Sequence, residues 1–239
     1  MTVPSAAGVV VPARNEAGLV GECLAAVRAA AGAVGPGVRI AAAVVADRCT
    51  DATESVAAAA LAGADFPWVV VPATVGNPGA ARRVGVDAVV RLLGEPDAAG
   101  TWIATTDADT RVPRAWLTRM LDLAAAGHDG VAGAITVDRW DEHPLSVRRH
   151  YQAMLRRRRL PGGSHSHVYG ANLGVRLSAL RTVGGMPTPP AGEDAELWSA
   201  LRRYGLRLAS PADLLVVTSG RRRGRATGGL ADLLTALAG

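Results

Sequence analysis

Hydrophobic and polar positions along the first half of the chain form alternating blocks that predict strands followed by helices. Apolar runs typical of buried strands occur in four places: 6–13, 38–47, 68–73 and 101–109. Apolar residues recur at helical spacing in the segments between them: 16–31, 50–62 and 78–93. This order predicts βαβ units with right-handed crossovers, and therefore an α/β protein with a mostly parallel sheet flanked by helices.

The second half of the chain has a less regular pattern. A strand is predicted over 128–138, and helices are predicted over three segments: 144–159, 178–183 and 193–204. A short edge strand and a strand over 212–219 lead to an arginine-rich segment and a final amphipathic helix. The sequence shows neither an internal repeat nor an evident linker, so we predict a single domain over residues 1–239.

The basic residues are all arginines, which limits the chemistry available to the chain. There are 26 of them, with no lysine, and the net charge is +5. Lysine nucleophiles, Schiff bases and the lysine of a P-loop are thereby excluded, so anions must be bound by guanidinium or backbone N–H groups. Aromatic residues make up only 4% of the chain, which argues against a stacking surface for nucleic acid.

The cysteines and the apolar segments bear on the cellular location of the protein. We interpret Cys23 and Cys49 as small apolar fillers, because two thiols alone make a poor metal site. No apolar stretch approaches the ~20 residues that span a bilayer, and the N-terminus lacks the features of a signal peptide. These observations predict a soluble cytoplasmic protein rather than an integral membrane protein.

Polar residues cluster where each of the first four predicted strands ends. The clusters are Arg14 to Glu16, Asp47 with Arg48, Asn77 to Arg82, and Asp107 to Asp109. Ligands of parallel sheets bind beyond the carboxyl ends of the strands, so we expect the four clusters to lie on one rim and form a site there.

Two of these clusters contain carboxylates that could bind a ligand or a metal ion. Asp107 and Asp109 suit a hard divalent cation such as Mg²⁺ or Mn²⁺, which prefers oxygen ligands and leaves room for phosphates. The alternative is that they cap a helix ahead of Pro113. Asp47 can accept a hydrogen bond from a base or a ribose, and the alternative for it is a local turn.

Two further segments combine helix starts with charged side chains. Gly76 and Gly79 precede a helix that carries Arg82 in its first turn, an arrangement suited to an anion, although glycine is common in ordinary loops. Glu193 and Asp194 begin a later helix and suit a catalytic base and its neighbour. The alternative is that the helix dipole alone favours acids at this position.

The chain resembles family 2 glycosyltransferases of the Rossmann-like GT-A fold in six segments: VVVPARNE, VVADRCTDAT, GNPGAARRVGV, TTDADT, YGANLGVRLSALRTVGGM and GEDAELWSALRRYG. They extend from residue 9 to about residue 205, in the order and spacing of the family. The resemblance implies a UDP- or GDP-linked sugar donor, bound by residues 1–110. It also implies an acceptor half over 111–239 that includes the basic C-terminal tail.

The resemblance also assigns site residues. It implies that the donor is bound by Pro12, Ala13, Arg14, Glu16, Asp47, Gly79, Arg82, Asp107, Ala108 and Asp109. The expected metal ligand is Asp109, for Mn²⁺ or Mg²⁺, and the expected base is Asp194, supported by Glu193. The tail expected over the diphosphate contains Arg221, Arg222, Arg223 and Arg225. Residues expected near the acceptor are His165, His167, Gly170 and Asn172.

The implied reaction is transfer of one sugar to a discrete acceptor, with inversion. The Q-x-x-R-W pattern and the membrane helices of processive synthases are absent, which argues against polymerisation. The acceptor is expected to be a small, phosphorylated or lipid-linked molecule, since Arg156 to Arg159 suit a phosphate, although cations also favour helix ends. The alternatives are a retaining enzyme of the same fold, a sugar nucleotidyltransferase and a non-catalytic nucleotide-sugar-binding module.

Overall fold

The structure, a computed structural model, describes residues 2–225 and 228–238. The strands are β1 (Ala6–Ala13), β2 (Arg39–Asp47), β3 (Trp68–Ala73), β4 (Thr101–Thr105), β5 (Thr110–Arg111), β6 (Gly130–Ala132), β7 (Ala134–Asp138), β8 (Arg159–Leu160), β9 (Ser164–His165), β10 (Leu173–Arg176), β11 (Leu208–Ala209) and β12 (Leu215–Ser219). The α-helices are α1 (Val20–Ala31), α2 (Thr53–Leu61), α3 (Pro78–Leu92), α4 (Trp116–Ala125), α5 (Leu145–Arg157), α6 (Leu177–Thr182), α7 (Glu193–Arg203) and α8 (Leu230–Ala236).

A seven-stranded sheet in the order β11-β6-β10-β4-β1-β2-β3 forms the centre of the molecule. Strands β4, β1, β2 and β3 are parallel, which confirms the predicted α/β class. Strand β10 runs antiparallel between β4 and β6 and joins the second half of the chain to the first. All four parallel strands end at the same edge, and this edge therefore collects the loops that follow them.

Successive residues of β1 pack on opposite faces of the sheet. Ala7, Val9 and Val11 contribute to a core with α1, α2 and α4, whereas Ala6 and Val10 contribute to a core with α3, α6 and α7. Helices thus cover both faces, which explains why the strands read as continuous apolar runs rather than alternating ones.

Several predicted elements have different bounds in the structure. Helix α1 begins at Val20 rather than residue 16, because the chain first turns through Asn15, whose φ is 53°. Strand β4 ends at Thr105 rather than residue 109, and the Thr110 N–H donates to the Asp107 carbonyl at 3.0 Å in the turn that follows. Helix α4 and strand β10 lie outside the predictions, although the apolar residues of α4 have helical spacing.

The strand predicted over 128–138 is two strands, β6 and β7, that belong to different sheets. They separate at Gly133, where a Cβ would lie 2.2 Å from Nδ2 of Asn172. The side chain of Asn172 is fully buried and donates to the carbonyls of Ala134 (2.8 Å) and Leu214 (2.9 Å). The smaller sheet, β5-β12-β7, is thereby held beside the end of β4.

A small apolar cluster joins the last described helix to the acceptor-side segments. It consists of Val137, Val147, Tyr151 and Leu234, which come from β7, α5 and α8. Among the described residues, no helix has the length and apolar character needed to cross a membrane.

Candidate active site

A cleft of about 530 Å³ lies at the carboxyl edge of the parallel strands. It brings together most of the predicted site residues: Pro12, Ala13, Arg14, Glu16, Asp47, Arg82, Asp107, Ala108, Asp109, Gly170, Glu193, Asp194, Arg221 and Arg225. The two halves of the chain therefore contribute to one cleft, as the parallel topology predicts.

The turn after β1 is fixed by the loop after β2. The Asn15 side chain accepts a hydrogen bond from the Thr50 N–H at 2.8 Å, and the Glu16 N–H donates to the Thr53 hydroxyl at 2.7 Å. These contacts point the side chain of Glu16 into the cleft, where it is 6% exposed. Arg14 is exposed on the cleft wall and has no ion pair with any residue in the described part of the chain.

Asp47 fixes the loop before α3. Its Oδ1 accepts a hydrogen bond from the Gly76 N–H at 3.0 Å. Gly76 has a φ of 66°, a backbone conformation that favours glycine. The Asn77 side chain then caps α3 by accepting from the Ala80 N–H at 2.9 Å, with Pro78 at the first helical position.

Arg82 joins the acid pairs of the two halves. Its guanidinium donates to Asp107 Oδ1 at 2.7 Å and to Glu193 Oε1, and the residue is only 3% exposed. Burial raises the pKa of Asp107 to about 6, against the opposing effect of Arg82. The buried cation is paired on both sides, which satisfies the requirement that such a charge be compensated.

Gly170 lies between Arg82 and the candidate base. A Cβ on Gly170 would lie 2.3 Å from Nη2 of Arg82, so the close approach of the guanidinium needs glycine. The Gly170 N–H donates to Asp194 Oδ2 at 2.9 Å, and the Ala195 N–H donates to Asp194 Oδ1 at 2.7 Å. Burial, followed by the charge of Glu193, raises the pKa of Asp194.

Asp109 and Glu16 share one guanidinium. Arg221 binds Glu16 with two hydrogen bonds of 2.6 and 2.5 Å and approaches Asp109 Oδ2 at 3.0 Å. The pKa of Asp109 is raised by burial and lowered by Arg221. Two converging carboxylates that already hold one positive charge are suited to a hard cation, so the residues fit the divalent ion that the sequence predicts.

Six predicted residues do not line the cleft: Gly79, His165, His167, Asn172, Arg222 and Arg223. Gly79 instead allows close packing, since a Cβ there would lie 2.0 Å from the Pro187 carbonyl oxygen. Asn172 joins the two sheets and also accepts from the Trp116 indole at 2.9 Å. The predicted contact of Asn172 with an acceptor is therefore corrected to a structural role, because its side chain is buried and fully hydrogen-bonded.

The two histidines form a layer behind the cleft wall. His165 and His167 are buried, and His167 stacks on Tyr169 with a centroid distance of 5.3 Å. In the tail, Arg222 and Arg223 are exposed and do not line the cleft, whereas the Arg225 guanidinium donates to the Asn15 carbonyl at 3.2 Å. Of the predicted tail segment, residues 226–227 lie outside the described residues.

The cleft also contains residues that the sequence did not single out. Tyr169 and Val168 line it beside Gly170, and Leu230 and Leu233 of α8 line it on the tail side. Tyr169 immediately precedes Gly170 in one of the motifs, so the sequence could have indicated that it lines the cleft. No sequence feature indicates this for Leu230 and Leu233, because the pattern of the final helix predicts only an amphipathic element.

A second concavity of about 720 Å³ lies at the opposite edge of the sheet, between the end of α1 and the start of β2. Its lining is mainly aliphatic. Arg28 and Arg39 line it, but both guanidinium groups donate to backbone carbonyls. This concavity contains no acid pair comparable to those in the cleft, so the cleft is the better candidate for chemistry.

Solved structures share this architecture. The TarS protein of S. aureus in complex with UDP-GlcNAc matches with a TM-score of 0.68 and 14% identity over 99% of this chain and 66% of that one. The mannosyltransferase PcManGT from Pyrobaculum calidifontis, in complex with GDP-Man and Mn²⁺, has a TM-score of 0.65 and 21% identity over 92% of this chain and 58% of that one.

Glucosyl-3-phosphoglycerate synthase from Mycobacterium tuberculosis, in complex with Mg²⁺ and UDP, has a TM-score of 0.57 and 18% identity, over 98% of this chain and 78% of that one. At such identities these matches show the common GT-A fold. The chain spans less than two thirds of the length of the TarS and PcManGT chains. A search of curated proteins found no match. The family model for glycosyl transferase family 2 matches residues 8–184, and the chain belongs to this family.

Proposed function

We propose that this protein is a metal-dependent glycosyltransferase that moves one sugar from a UDP- or GDP-linked donor to a hydroxyl group of a discrete acceptor, with inversion. The observation that carries the proposal is the meeting of two acid pairs in one cleft, where Arg82 bridges Asp107 and Glu193. Family membership supports the reaction class. The bound UDP-GlcNAc and GDP-Man of the solved proteins support the donor class.

Asp194 is the proposed base. The acceptor oxygen forms a bond to the anomeric carbon while the bond from that carbon to the diphosphate oxygen breaks and its electron pair leaves with the diphosphate. The hydroxyl proton passes to Asp194. Burial raises the pKa of Asp194, which makes it a stronger base than a solvated carboxylate, and a single displacement of this kind inverts the anomeric carbon.

Two arginines and a cation held by one carboxylate are proposed to stabilise the negative charge of the departing diphosphate. Arg221 and Arg225 line the cleft on the tail side, where their charge suits a diphosphate. Asp109 would hold Mn²⁺ or Mg²⁺, which when bound supplies Lewis-acid stabilisation of the departing phosphate. Asp47 and the turn from Pro12 to Glu16 would hold the nucleoside, so residues 1–110 form the donor half.

Calorimetric titration with UDP, GDP and their sugars, with Mn²⁺ and with a chelator, tests the donor and metal assignments. We expect binding of at least one nucleotide to require the cation. Consumption of the bound donor then separates an enzyme from a non-catalytic binding module. The anomeric configuration of the product, read by NMR, separates inversion from retention. Nucleotide binding of equal strength without the cation would contradict the metal role.

A further inference from the structure

The segment between the two acids Glu142 and Glu193 contains no aspartate or glutamate. It carries eight arginines and four of the five histidines of the chain. In the structure it supplies α5, the β8–β9 hairpin and the cleft residues Val168 to Ala171. None of these arginines is among the described residues that line the cleft, and Arg176 is paired with Asp129, so the positive charge of the segment lies behind the acceptor side of the cleft, where it suits an anionic molecule.

Arg158, at the C-terminal end of α5, differs from the two arginines that are paired with acids in the cleft. Arg82 and Arg221 are paired with carboxylates. Within residues 2–225 and 228–238, Arg158 has no carboxylate partner, and its Nη1 instead lies 3.4 Å from His167 Nδ1. The exposed guanidinium is thus held in position without being neutralised.

His167 acts as a neutral acceptor for this guanidinium. Burial, together with the charges of Arg158 and His165, lowers the pKa of His167 to about 4, so the ring is uncharged at neutral pH. Its Nδ1 also lies 2.8 Å from the Tyr169 hydroxyl. The ring therefore positions Arg158 and Tyr169 together and leaves the positive charge of Arg158 available.

Tyr169 connects this arginine to the proposed base. It lines the cleft, and the next residue, Gly170, donates its N–H to Asp194. Burial raises the pKa of Tyr169 to about 12, Arg158 opposes this rise and Asp194 adds to it. The phenol therefore lies in the electrostatic field of both groups, at the end of the cleft where the acceptor hydroxyl would be deprotonated.

From these contacts we infer that Arg158 is an acceptor subsite for a phosphate group and that the acceptor carries a phosphate near the hydroxyl that receives the sugar. This inference rests on the proposed function. A planar guanidinium that is oriented by a neutral group binds phosphate with two parallel hydrogen bonds. The phosphate belongs either to a small soluble molecule or to a lipid headgroup, two sources of the same chemistry.

Protection of arginines from phenylglyoxal, mapped by mass spectrometry, tests this subsite. The protein is first saturated with UDP and Mn²⁺, so that inorganic phosphate cannot act at the donor site. Phosphate at constant ionic strength should slow modification of Arg158 by about tenfold. Arg181, which is also exposed near the end of a helix and has no carboxylate partner among the described residues, serves as the internal control and should be unaffected.

A second arm of the experiment uses lipid vesicles to distinguish a phosphate on a small soluble molecule from one on a lipid headgroup. Protection of Arg158 by phosphatidylglycerol vesicles, but not by phosphatidylcholine vesicles or inorganic phosphate, would assign the subsite to an anionic lipid headgroup. Protection by inorganic phosphate assigns it to a small phosphorylated acceptor. Equal modification of Arg158 and Arg181 under all conditions would overturn the inference.

Binding of inorganic phosphate to variants provides an independent readout. Arg158→Gln should raise the dissociation constant about tenfold, Arg158→Lys should raise it less because the charge remains, and Arg181→Gln should leave it unchanged. Unchanged affinity of Arg158→Gln for both inorganic phosphate and phosphatidylglycerol vesicles would overturn the inference. UDP titration on the same preparations distinguishes failure of the proposed function from failure of the subsite. If the unmodified protein does not bind UDP, the proposed function is contradicted. If it binds UDP but Arg158 is not protected, only the subsite is contradicted.

Discussion

The carboxylates of the cleft differ in what neutralises them. Asp107 and Glu193 share the buried Arg82, and Glu16 and Asp109 share Arg221. Asp194 is bound by two backbone N–H groups and has no direct ion pair within the described residues. A carboxylate without a cation partner keeps more of its basicity, so this difference favours Asp194 over its neighbour Glu193 as the base.

Replacement of the two helix-start acids should separate catalysis from helix stability. Asp194→Asn keeps size and cannot take the acceptor proton, so we expect transfer to fall about a hundredfold or more with nucleotide affinity near that of the unmodified protein. Glu193→Gln should cost less. If the acids only stabilised the start of α7, each replacement would cost about 1 kcal/mol or less of stability and little rate. Thermal melting and single-turnover transfer on the same samples decide between these results.

The pH dependence of transfer should report the ionisation of Asp194. The base is active when ionised, and its pKa is raised, so activity should fall as the pH drops through that raised pKa. Glu193 contributes to the rise, so Glu193→Gln should move this acid limb to lower pH. The residual rate of Asp194→Asn should lack the limb. A limb at the same pH in all three proteins would assign it to another group.

The two acids of the D-x-D segment should respond differently to substitution. Asp109 converges with Glu16 on one cation position, whereas Asp107 is committed to Arg82. We expect Asp109→Asn to weaken Mn²⁺-dependent nucleotide binding at least about tenfold, and Asp107→Asn to weaken it less. Titration calorimetry of both variants with nucleotide and Mn²⁺ measures the difference. An equal loss of nucleotide affinity in both variants would contradict the division of the pair into one metal ligand, Asp109, and one structural acid, Asp107.

The residue types of the site could be predicted from the sequence, but their partners could not. Asp107, Asp109, Glu193 and Asp194 stand out because carboxylates follow apolar runs or begin helices. That Arg82 joins Asp107 to Glu193 depends on a contact across 111 positions, and no local pattern encodes it. Asn172 was misassigned for the same reason, since its three partners are Ala134 of β7, Leu214 just before β12 and Trp116 of α4.

At the scale of elements, strands buried on both faces were predicted well because apolar runs bounded by turn residues are local signals. Strands β1, β2 and β3 lie within one residue of the prediction. Strand β10 has only four residues and forms by pairing with β4 and β6, so its existence depends on tertiary contacts. The division of β6 from β7 likewise depends on Asn172 packing against Gly133.

The approach of α3 to the loop before α7 should be sensitive to one methyl group. Gly79→Ala places a Cβ against the Pro187 backbone oxygen, at 2.0 Å unless the loop moves, and 3.1 Å from Cβ of Glu193. We expect a loss of about 1–3 kcal/mol in the free energy of unfolding, together with lower transfer, because the displaced loop carries the start of α7. Chemical denaturation measures the first effect.

Gly35→Ala provides the matched control for this substitution. Gly35 is exposed, and no atom lies within 4 Å of its added Cβ. Its free energy of unfolding should change by about 0.5 kcal/mol or less. Equal stability of the two alanine variants would show that the loop before α7 adapts without cost, and would weaken the view that Gly79 sets the spacing of the acid pairs.

At the scale of the whole molecule, the cleft depends on the topology rather than on any one segment. Parallel strands bring the ends of β1, β2 and β4 to one edge, and the antiparallel strand β10 begins at this edge, so the residues that precede β10 lie there too. Arg221 then joins the tail to the turn after β1. Binding at the cleft is therefore expected to couple to the stability of the molecule as a whole.

The last prediction concerns that coupling through Arg221. A nucleotide with Mn²⁺ at a hundred times its dissociation constant should raise the free energy of unfolding by about 2.7 kcal/mol. Without ligand, Arg221→Gln leaves Glu16 and Asp109 close together and unpaired, so we expect a loss of about 1–3 kcal/mol. Mn²⁺ alone should then stabilise this variant more than the unmodified protein, because the cation no longer competes with a guanidinium for the same two carboxylates. Arg222→Gln, whose side chain is exposed and does not line the cleft, is the control and should behave like the unmodified protein. Thermal melting of the three proteins, with Mn²⁺ and with a chelator, gives the comparison. Equal stabilisation of all three by Mn²⁺ would place the cation elsewhere than on Asp109.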